Sequence, residues 1–339
     1  MNAKRMSCIV MFILAVCLLF TACAATNGGQ NERGSSSASN AQTTTTQPTS
    51  AGAESSSESA VYPLTVEHAL GKITLAHQPE RIYAPYMEDA LLTLGIKPVL
   101  KWSYGPLVQQ YLEPQLQDVP KIDFSGGNNY EQVLAAQPDL IVLYSSEMAA
   151  NGVYEQFSNI APTYVFPDAA GDWQQTVRVL GKLTGKEAEA TQAIDNYNRL
   201  VKQAHAQLEP ITNGKTFAII RIKPKQLNLM EGIYFSGVTL YHDLGLTPPP
   251  LVKEKSWNKF AVLSMEGLSE LNADYIFYTV QGSDAVSNEQ TIQSSAIWKQ
   301  LPAVRAGHAY KVENNYWLAS GAIANTLQIK DVVRLVTAK

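Results

Sequence analysis

Residues 186–208 read KEAEATQAIDNYNRLVKQAHAQL, and their pattern predicts how the two halves of the chain are connected. Apolar side chains recur in it at intervals of four or three residues, at Ala190, Ile194, Tyr197, Val201, Ala204 and Leu208. That spacing predicts one face of a single helix, about 34 Å long at 1.5 Å per residue. Pro210 and Gly214 predict its end. A helix of this length in mid-chain predicts a rigid spine between two halves, which should move little relative to each other.

The two flanking halves share a sequence pattern. Residues 130–144 read YEQVLAAQPDLIVLY and residues 266–278 read EGLSELNADYIFY. Each predicts a short amphipathic helix, a turn that contains Asp139 or Asp274, and a buried parallel strand. Chance is the alternative, because such units are common. We expect two α/β lobes, over residues 61–183 and 211–339, joined by a connecting helix within residues 184–210.

Further apolar runs predict additional strands, at residues 81–84, 98–102, 163–166, 217–222 and 309–312. They alternate with helical patterns. This alternation predicts mainly parallel sheets with helices on both faces.

The N-terminus predicts export. Lys4 and Arg5 precede an apolar run over residues 9–20, which has the length of a signal-peptide core. Residues 20–23, FTAC, resemble a bacterial lipobox. We therefore expect residues 1–22 to be a signal peptide and Cys23 to carry lipid; the alternative is ordinary cleavage and a free secreted protein.

Residues 24–60 predict a tether. They contain 9 Ser, 6 Thr and no Ile, Leu, Val, Met or aromatic residue, so we expect residues 23–60 to be disordered. The predicted location is the outer face of the cytoplasmic membrane, and the tether length suits a Gram-positive envelope.

Composition excludes other classes of protein. The chain has a net charge of −4 and no basic run, which argues against nucleic-acid binding. The three cysteines all lie within the first 23 residues, so a disulfide in the folded part is excluded. The five histidines are scattered, which disfavours a metal site. Common catalytic motifs are absent from the sequence, so we expect no enzyme.

Several segments together resemble one family: residues 66–71, 78–82, 88–95, 138–142, 240–245, 264–268, 296–307 and 316–317. In order and spacing they are similar to the substrate-binding lipoproteins of ABC importers for iron(III)–siderophores. This helical-backbone type also includes the vitamin B12 binders. The resemblance covers essentially all of residues 61–339.

The resemblance implies two Rossmann-like lobes joined by a spine helix, which is the class III periplasmic-binding-protein fold. It implies a monomeric receptor without a cofactor that captures a ferric siderophore and delivers it to an ABC permease. The iron would be held by the siderophore. The alternatives are the same fold binding cobalamin or haem, or a secreted hydrolase, which needs a nucleophile or paired carboxylates in the groove.

Residues after the strands are expected to line the ligand groove. They are Lys101, Trp102, Tyr104, Arg221 and Lys223, with Tyr86, Trp257 and Trp317 as weaker candidates. The family places a ligand-contacting arginine on the strand of Arg221. Lys225 alternates with Lys223, so the pair lines the groove or forms a solvated edge. Tyr83 is expected in the core, and Trp317 equally as a packing anchor.

The class of siderophore stays open at this point. Arg221, Lys223, Lys225 and Lys101 favour an anionic catecholate or carboxylate complex. Trp102 and Tyr104 suit a neutral hydroxamate.

The resemblance also implies docking on the permease through one acidic residue on each lobe. Glu88 or Asp89 has the first location. At the second, His242 stands where the family commonly has glutamate, and Asp243 is adjacent. Either Asp243 replaces that glutamate or His242 makes docking sensitive to pH.

Overall fold

The long helix predicted between the halves is present. In the computed structural model, which describes residues 61–282 and 284–338, it runs over Glu187–Thr212. Its predicted apolar stripe is buried, apart from the half-buried Val201. The prediction that Pro210 ends the helix is wrong. Pro210 lies in the last turn, where its missing N–H removes a single intrahelical hydrogen bond, and Gly214 follows with a φ of 73°.

The strands are β1 (Leu64–His68), β2 (Gly71–Leu75), β3 (Ile82–Tyr83), β4 (Lys101–Ser103), β5 (Lys121–Asp123), β6 (Leu140–Leu143), β7 (Thr163–Val165), β8 (Phe217–Lys223), β9 (Gln226–Leu229), β10 (Ala261–Leu263), β11 (Tyr275–Val280) and β12 (Ala309–Lys311). The α-helices are α1 (Glu88–Thr93), α2 (Glu113–Leu116), α3 (Tyr130–Ala135), α4 (Val153–Ser158), α5 (Trp173–Thr184), α6 (Glu187–Thr212), α7 (Met265–Ser269), α8 (Ala285–Ser294), α9 (Ala296–Gln300), α10 (Pro302–Arg305), α11 (Asn314–Trp317) and α12 (Ala322–Thr337). Residues 110–112 form a 3₁₀ turn, and residues 238–243 and 252–256 form π-helical turns.

The mainly parallel sheets are confirmed. In the first half β3, β6 and β7 pair in parallel in the order β3-β6-β7, and β4 pairs in parallel with β5. In the second half the order is β10-β9-β8-β11-β12, with β8, β11 and β12 parallel. The antiparallel pairs β1–β2, β8–β9 and β9–β10 were not predicted.

The two aspartates of the repeated pattern have the same structural role. The Asp139 carboxylate accepts hydrogen bonds from the backbone N–H groups of Glu80 and Arg81, both at 2.9 Å, just before β3. The Asp274 carboxylate accepts from the backbone N–H of Thr216 at 2.9 Å, just before β8. Each aspartate therefore fastens the start of its own strand to the neighbouring one. The repeated sequence pattern corresponds to a repeated structural unit.

The largest hydrophobic core runs through both halves. It includes Ile82 and Leu140 from the first sheet, Phe217 and Phe277 from the second, and the buried face of α6. Because residues of both sheets and of α6 belong to this one core, the spine helix packs against both halves of the chain. The lobe boundaries themselves remain a prediction.

The predictions for the N-terminus lie outside the described residues. These are the signal peptide over residues 1–22, the lipid on Cys23 and the tether over residues 23–60. Among the helices that are described, none has both the length and the apolar character that crossing a bilayer requires.

Candidate functional site

Four aromatic side chains meet at the carboxyl ends of strands in the first half. We call Tyr86, Trp102, Phe124 and Tyr144 the aromatic platform. The centroid of the Tyr86 ring lies 5.4 Å from that of Trp102, 5.6 Å from Phe124 and 6.1 Å from Tyr144. These are contact distances for aromatic rings. Tyr86 follows β3, Trp102 lies on β4, and Phe124 and Tyr144 directly follow β5 and β6. Open α/β sheets bind ligands at this edge.

The backbone positions the two predicted members of the platform. Tyr86 has a left-handed backbone with a φ of 67°, in a turn closed by the Met87 N–H on the Ala84 carbonyl at 3.1 Å. Such a conformation is uncommon for a residue with a side chain. The ring is 43% exposed. Tyr86 and Trp102 were each predicted to line the ligand groove, and the structure brings their rings into contact; ligand binding by them stays a prediction.

Trp102 is fixed by the carboxylate of a neighbouring helix. Its backbone N–H donates to Oε1 of Glu88, the first residue of α1, at 2.7 Å. The indole Nε1 is buried and has no partner among the described residues. An unpaired buried donor is costly, so this N–H is available to a ligand.

In the second half, three polar side chains stand side by side on adjacent strands. Arg221 on β8 pairs in register with Asn228 on β9 and with Thr279 on β11. Side chains at paired positions lie on the same face of a sheet. We call these three residues the polar row. Arg221 Nε, Asn228 Oδ1 and Thr279 Oγ1 are all buried without a partner in the described part of the chain.

Arg221 has a counter-charge inside the protein. Its Nη2 donates to Oε1 of Gln281. Burial lowers the pKa of Arg221, and the nearby carboxylate of Glu231 raises that pKa in part. Glu231 is 8% exposed, and its Oε2 is buried without a partner within residues 61–282 and 284–338. Glu231 is therefore the carboxylate whose charge acts on the guanidinium.

The platform is electrostatically linked to the second half. Burial raises the pKa of Tyr144, and Asp168, Tyr234 and Tyr86 raise it further. Tyr234 lies in the segment that follows β9 and also carries Glu231. A side chain of the second half thus lies within interaction range of the platform.

Trp257 supports that segment. A Cβ added to Gly232 would lie 2.2 Å from Trp257 Cε3, and the Gly232 N–H donates to the Trp257 carbonyl at 3.0 Å. The half-buried Trp257 ring also stacks on Tyr241, with centroids 6.1 Å apart. Trp257 therefore positions the segment around Glu231. Tyr104 is 52% exposed in a turn beside Leu107 and makes no ring contact with the platform within the described residues.

Two predicted ligand contacts are buried inside the protein. Lys101 alternates with Trp102 on β4 and so points to the other side, where Nζ donates to Glu113 Oε2 at 2.9 Å and to the Leu116 carbonyl at 2.7 Å. Trp317 is fully buried, its ring centroid 4.9 Å from that of Phe277, and Nε1 donates to Asp331 at 3.1 Å. The expectation that either lines the groove is corrected, because both have internal partners.

The predicted basic strip is also shorter than expected. Lys223 is half-buried at the end of β8, on the same face as Arg221. Lys225 has a φ of 57° and lies in the tight turn between β8 and β9. The prediction that Arg221, Lys223 and Lys225 follow one another along a single strand is therefore wrong, because β8 ends at Lys223.

Glu88 and Asp89 are buried, with relative exposures of 0% and 2%. The Asp89 carboxylate accepts hydrogen bonds from the backbone N–H groups of Ile323 at 3.1 Å and Ala324 at 2.9 Å, and from the Tyr111 hydroxyl at 3.2 Å. Asp89 thus ties α1 to the first turn of α12 and stabilises its N-terminus. A surface contact of either residue with a permease is inconsistent with this burial.

Burial raises the pKa of Glu88 to about 7, against the effect of the Trp102 N–H, which lowers it. The folded state therefore favours the protonated carboxyl. Its contribution to stability is complete below the unfolded pKa, about 4.3, and is lost as the pH rises through about 7. Glu88→Gln replaces this carboxyl by a neutral isostere. As the pH rises from 4.5 to 8, we expect the free energy of unfolding of Glu88→Gln to increase by about 2–3 kcal/mol relative to that of the native chain.

Urea unfolding of both proteins across this pH range measures the difference. Glu131→Gln, which alters an exposed glutamate in the first turn of α3, is the control and should follow the native pH dependence. A Glu88→Gln curve parallel to the native curve would contradict the prediction.

His242 and Asp243 form a pair at the end of the π-helical turn. The His242 side chain is 85% exposed, with Nδ1 2.8 Å from Asp243 Oδ1. The Asp243 side chain is 9% exposed, and its other oxygen accepts from the Tyr197 hydroxyl at 2.5 Å. Only His242 faces outward, so Asp243 supports it from beneath. Docking of a permease here stays a prediction.

Sequence reasoning missed several site residues: Phe124, Tyr144, Asn228, Glu231, Tyr234 and Thr279. Phe124 and Tyr144 directly follow β5 and β6, so the rule for strand ends finds them once those strand bounds are known. Asn228 and Glu231 depend on β9, an antiparallel strand that the sequence pattern did not predict.

Within residues 61–282 and 284–338, no three His, Cys, Asp or Glu side chains are grouped closely enough to hold a metal ion.

Comparison with known proteins agrees with the fold. A probable siderophore-binding lipoprotein of Bacillus subtilis is 29% identical over 289 residues, which cover 80% of this chain and 87% of that protein. The structure of Staphylococcus aureus SirA complexed with staphyloferrin B matches with a TM-score of 0.69 at 23% identity, covering 81% of this chain and 99% of the other. Bacillus subtilis FeuA, a triscatecholate siderophore binding protein complexed with ferri-bacillibactin, matches with a TM-score of 0.68 at 22% identity, covering 81% and 98%.

The predicted fold class, two α/β halves with a long helix, is confirmed by these structural matches. A sequence profile of the periplasmic binding protein family matches residues 90–316, which is more than half of the chain. The chain therefore belongs to the periplasmic binding protein family.

Proposed function

We propose that this protein is an extracellular receptor that captures a ferric siderophore and delivers it to an ABC permease. It is anchored at the outer face of the cytoplasmic membrane through lipid on Cys23, in a Gram-positive envelope, and acts as a monomer without catalysis. Family membership and the siderophore-binding relative support this proposal. The iron enters already chelated, so the protein contacts the organic shell rather than the metal.

One arrangement carries the proposal: the aromatic platform of the first half and the polar row of the second. A ferric siderophore is a bulky chelate with oxygen atoms at its surface. Aromatic rings pack on its organic scaffold, while the buried donors of Arg221 and Trp102 can pair with its oxygens. The platform lies on or just after strands of the first half, and Arg221 and Thr279 lie near the carboxyl ends of the parallel strands β8 and β11, where ligands bind in α/β sheets. Asn228 lies beside Arg221 on the antiparallel strand β9.

His242 is the proposed permease contact on the second half. It is exposed, and Asp243 orients its ring. The corresponding contact on the first half does not involve Glu88 or Asp89, since both are buried.

Tryptophan fluorescence provides the test, because Trp102 lies in the platform. We expect ferric siderophores to quench the emission with a Kd below about 1 μM. Trp102→Phe should lose most of the quenching. Trp298→Phe, which alters a tryptophan buried in the core of the second half, should retain it.

Haem and cobalamin are tested in the same way. Binding of either one more tightly than every ferric siderophore would contradict the proposal. Haem binding would also appear as a shift of its Soret band.

A further inference from the structure

The described charges at the candidate site nearly cancel. Lys101, which the sequence placed in the groove, is buried in an ion pair with Glu113. Arg221 is the cation of the polar row, and Glu231 lies close enough to offset it. Lys223 is a second cation, half-buried on the same face of β8. On the platform side, Asp168 acts on Tyr144 as a further negative charge.

The site also contains both hydrogen-bond donors and hydrogen-bond acceptors that have no partner among the described residues. Asn228 Oδ1 and Glu231 Oε2 are acceptors, whereas Arg221 Nε and Trp102 Nε1 are donors, and all four are buried without a partner in the described chain. A ligand that satisfies them must offer donors as well as acceptors. A surface made only of anionic oxygens would leave Glu231 unpaired beside like charge.

We propose that the site is selective for a neutral ferric trihydroxamate and discriminates against a trianionic ferric tris-catecholate. The inference rests on the proposed function, because it names the chemical class of the ferric siderophore. Hydroxamate oxygens accept from Arg221 and Trp102, and amide N–H groups of the same ligand donate to Asn228 and Glu231. A trianion meets the Glu231 carboxylate and only two cations, the partly offset Arg221 and the half-buried Lys223, so its charge is not fully neutralised.

The test compares three probes of different charge: ferrichrome, a neutral trihydroxamate; ferric enterobactin, a trianionic tris-catecholate; and ferric citrate, an anionic carboxylate complex. Each is titrated by tryptophan quenching at fixed ionic strength. We expect ferrichrome to bind at least about tenfold more tightly than either anionic complex. Lower salt should widen the gap, because screening of the repulsion weakens.

Glu231→Gln tests the selecting charge. Removing the carboxylate should shift the ratio of the two Kd values toward ferric enterobactin by about tenfold. Glu67→Gln removes the same charge from an exposed ion pair on β1 and should leave the ratio unchanged. An unchanged ratio in Glu231→Gln overturns the assignment of selectivity to this residue.

The outcomes distinguish a failure of the proposed selectivity from a failure of the proposed function. If ferric enterobactin or ferric citrate binds as tightly as ferrichrome or more tightly, the selectivity is wrong and the proposed function stands. If none of the three ferric complexes binds below about 1 μM, the proposed function and the selectivity fail together.

Discussion

Asp89→Ala is expected to lower the free energy of unfolding by about 3 kcal/mol. The substitution leaves the buried N–H groups of Ile323 and Ala324 and the Tyr111 hydroxyl without their acceptor. It also removes a negative charge from the N-terminus of the 16-residue helix α12. Relief of a buried carboxylate, whose pKa is raised to about 6 by burial, offsets part of this loss. Urea unfolding followed by tryptophan fluorescence measures the change.

Asp118→Ala is the matched control. Asp118 is an exposed aspartate of the first half that pairs with Lys97, so its loss should leave the unfolding midpoint nearly unchanged. If Asp89→Ala is no less stable than this control, Asp89 does not tie α1 to α12. Gly321 agrees with the tie, because a Cβ there would lie 2.3 Å from the Asp89 carboxyl group.

Arg221→Ala is expected to weaken binding of the tightest-binding ferric siderophore by about 10–100-fold. The substitution removes the buried Nε donor and leaves Glu231 without its nearby cation. The unbound protein should keep its fold, since Arg221 is only half-buried and lies near the end of β8. The change in Kd is measured by titration of tryptophan fluorescence.

Arg221→Lys separates charge from geometry. Lysine keeps the cation but lacks the planar fork, so we expect an intermediate affinity. Arg178→Ala, which alters an exposed arginine on α5, should leave the Kd unchanged. Equal affinities in Arg221→Ala and the native protein would show that the pocket lies elsewhere.

Neighbouring strand residues explain where sequence reasoning about the site failed. Lys101 and Trp102 are adjacent on β4 and therefore point to opposite faces of the sheet. Both were predicted to bind ligand, although only one of them can face the groove. Alternation along a short strand does not show which face of the sheet is covered by protein. For Lys101 that information comes only from its contacts with Glu113 and Leu116.

Carboxylates show the same limit over longer distances. The family resemblance placed Glu88 or Asp89 at the position of a docking residue on the first lobe. The partners of Asp89 at Ile323 and Ala324 are more than 230 residues away in the chain. No local pattern predicts such a contact, and burial follows only when α12 packs against α1.

The long helix, the repeated unit in each half and the mainly parallel sheets could all be predicted from the amino-acid sequence. These features follow from periodicity and local turns, such as the stripe along α6 and the matched Asp139 and Asp274. Which polar groups stay unpaired among the described residues depends instead on tertiary packing. Arg221, Asn228 and Thr279 become a row because three strands bring them into register, and pairing between strands depends on how the whole chain packs.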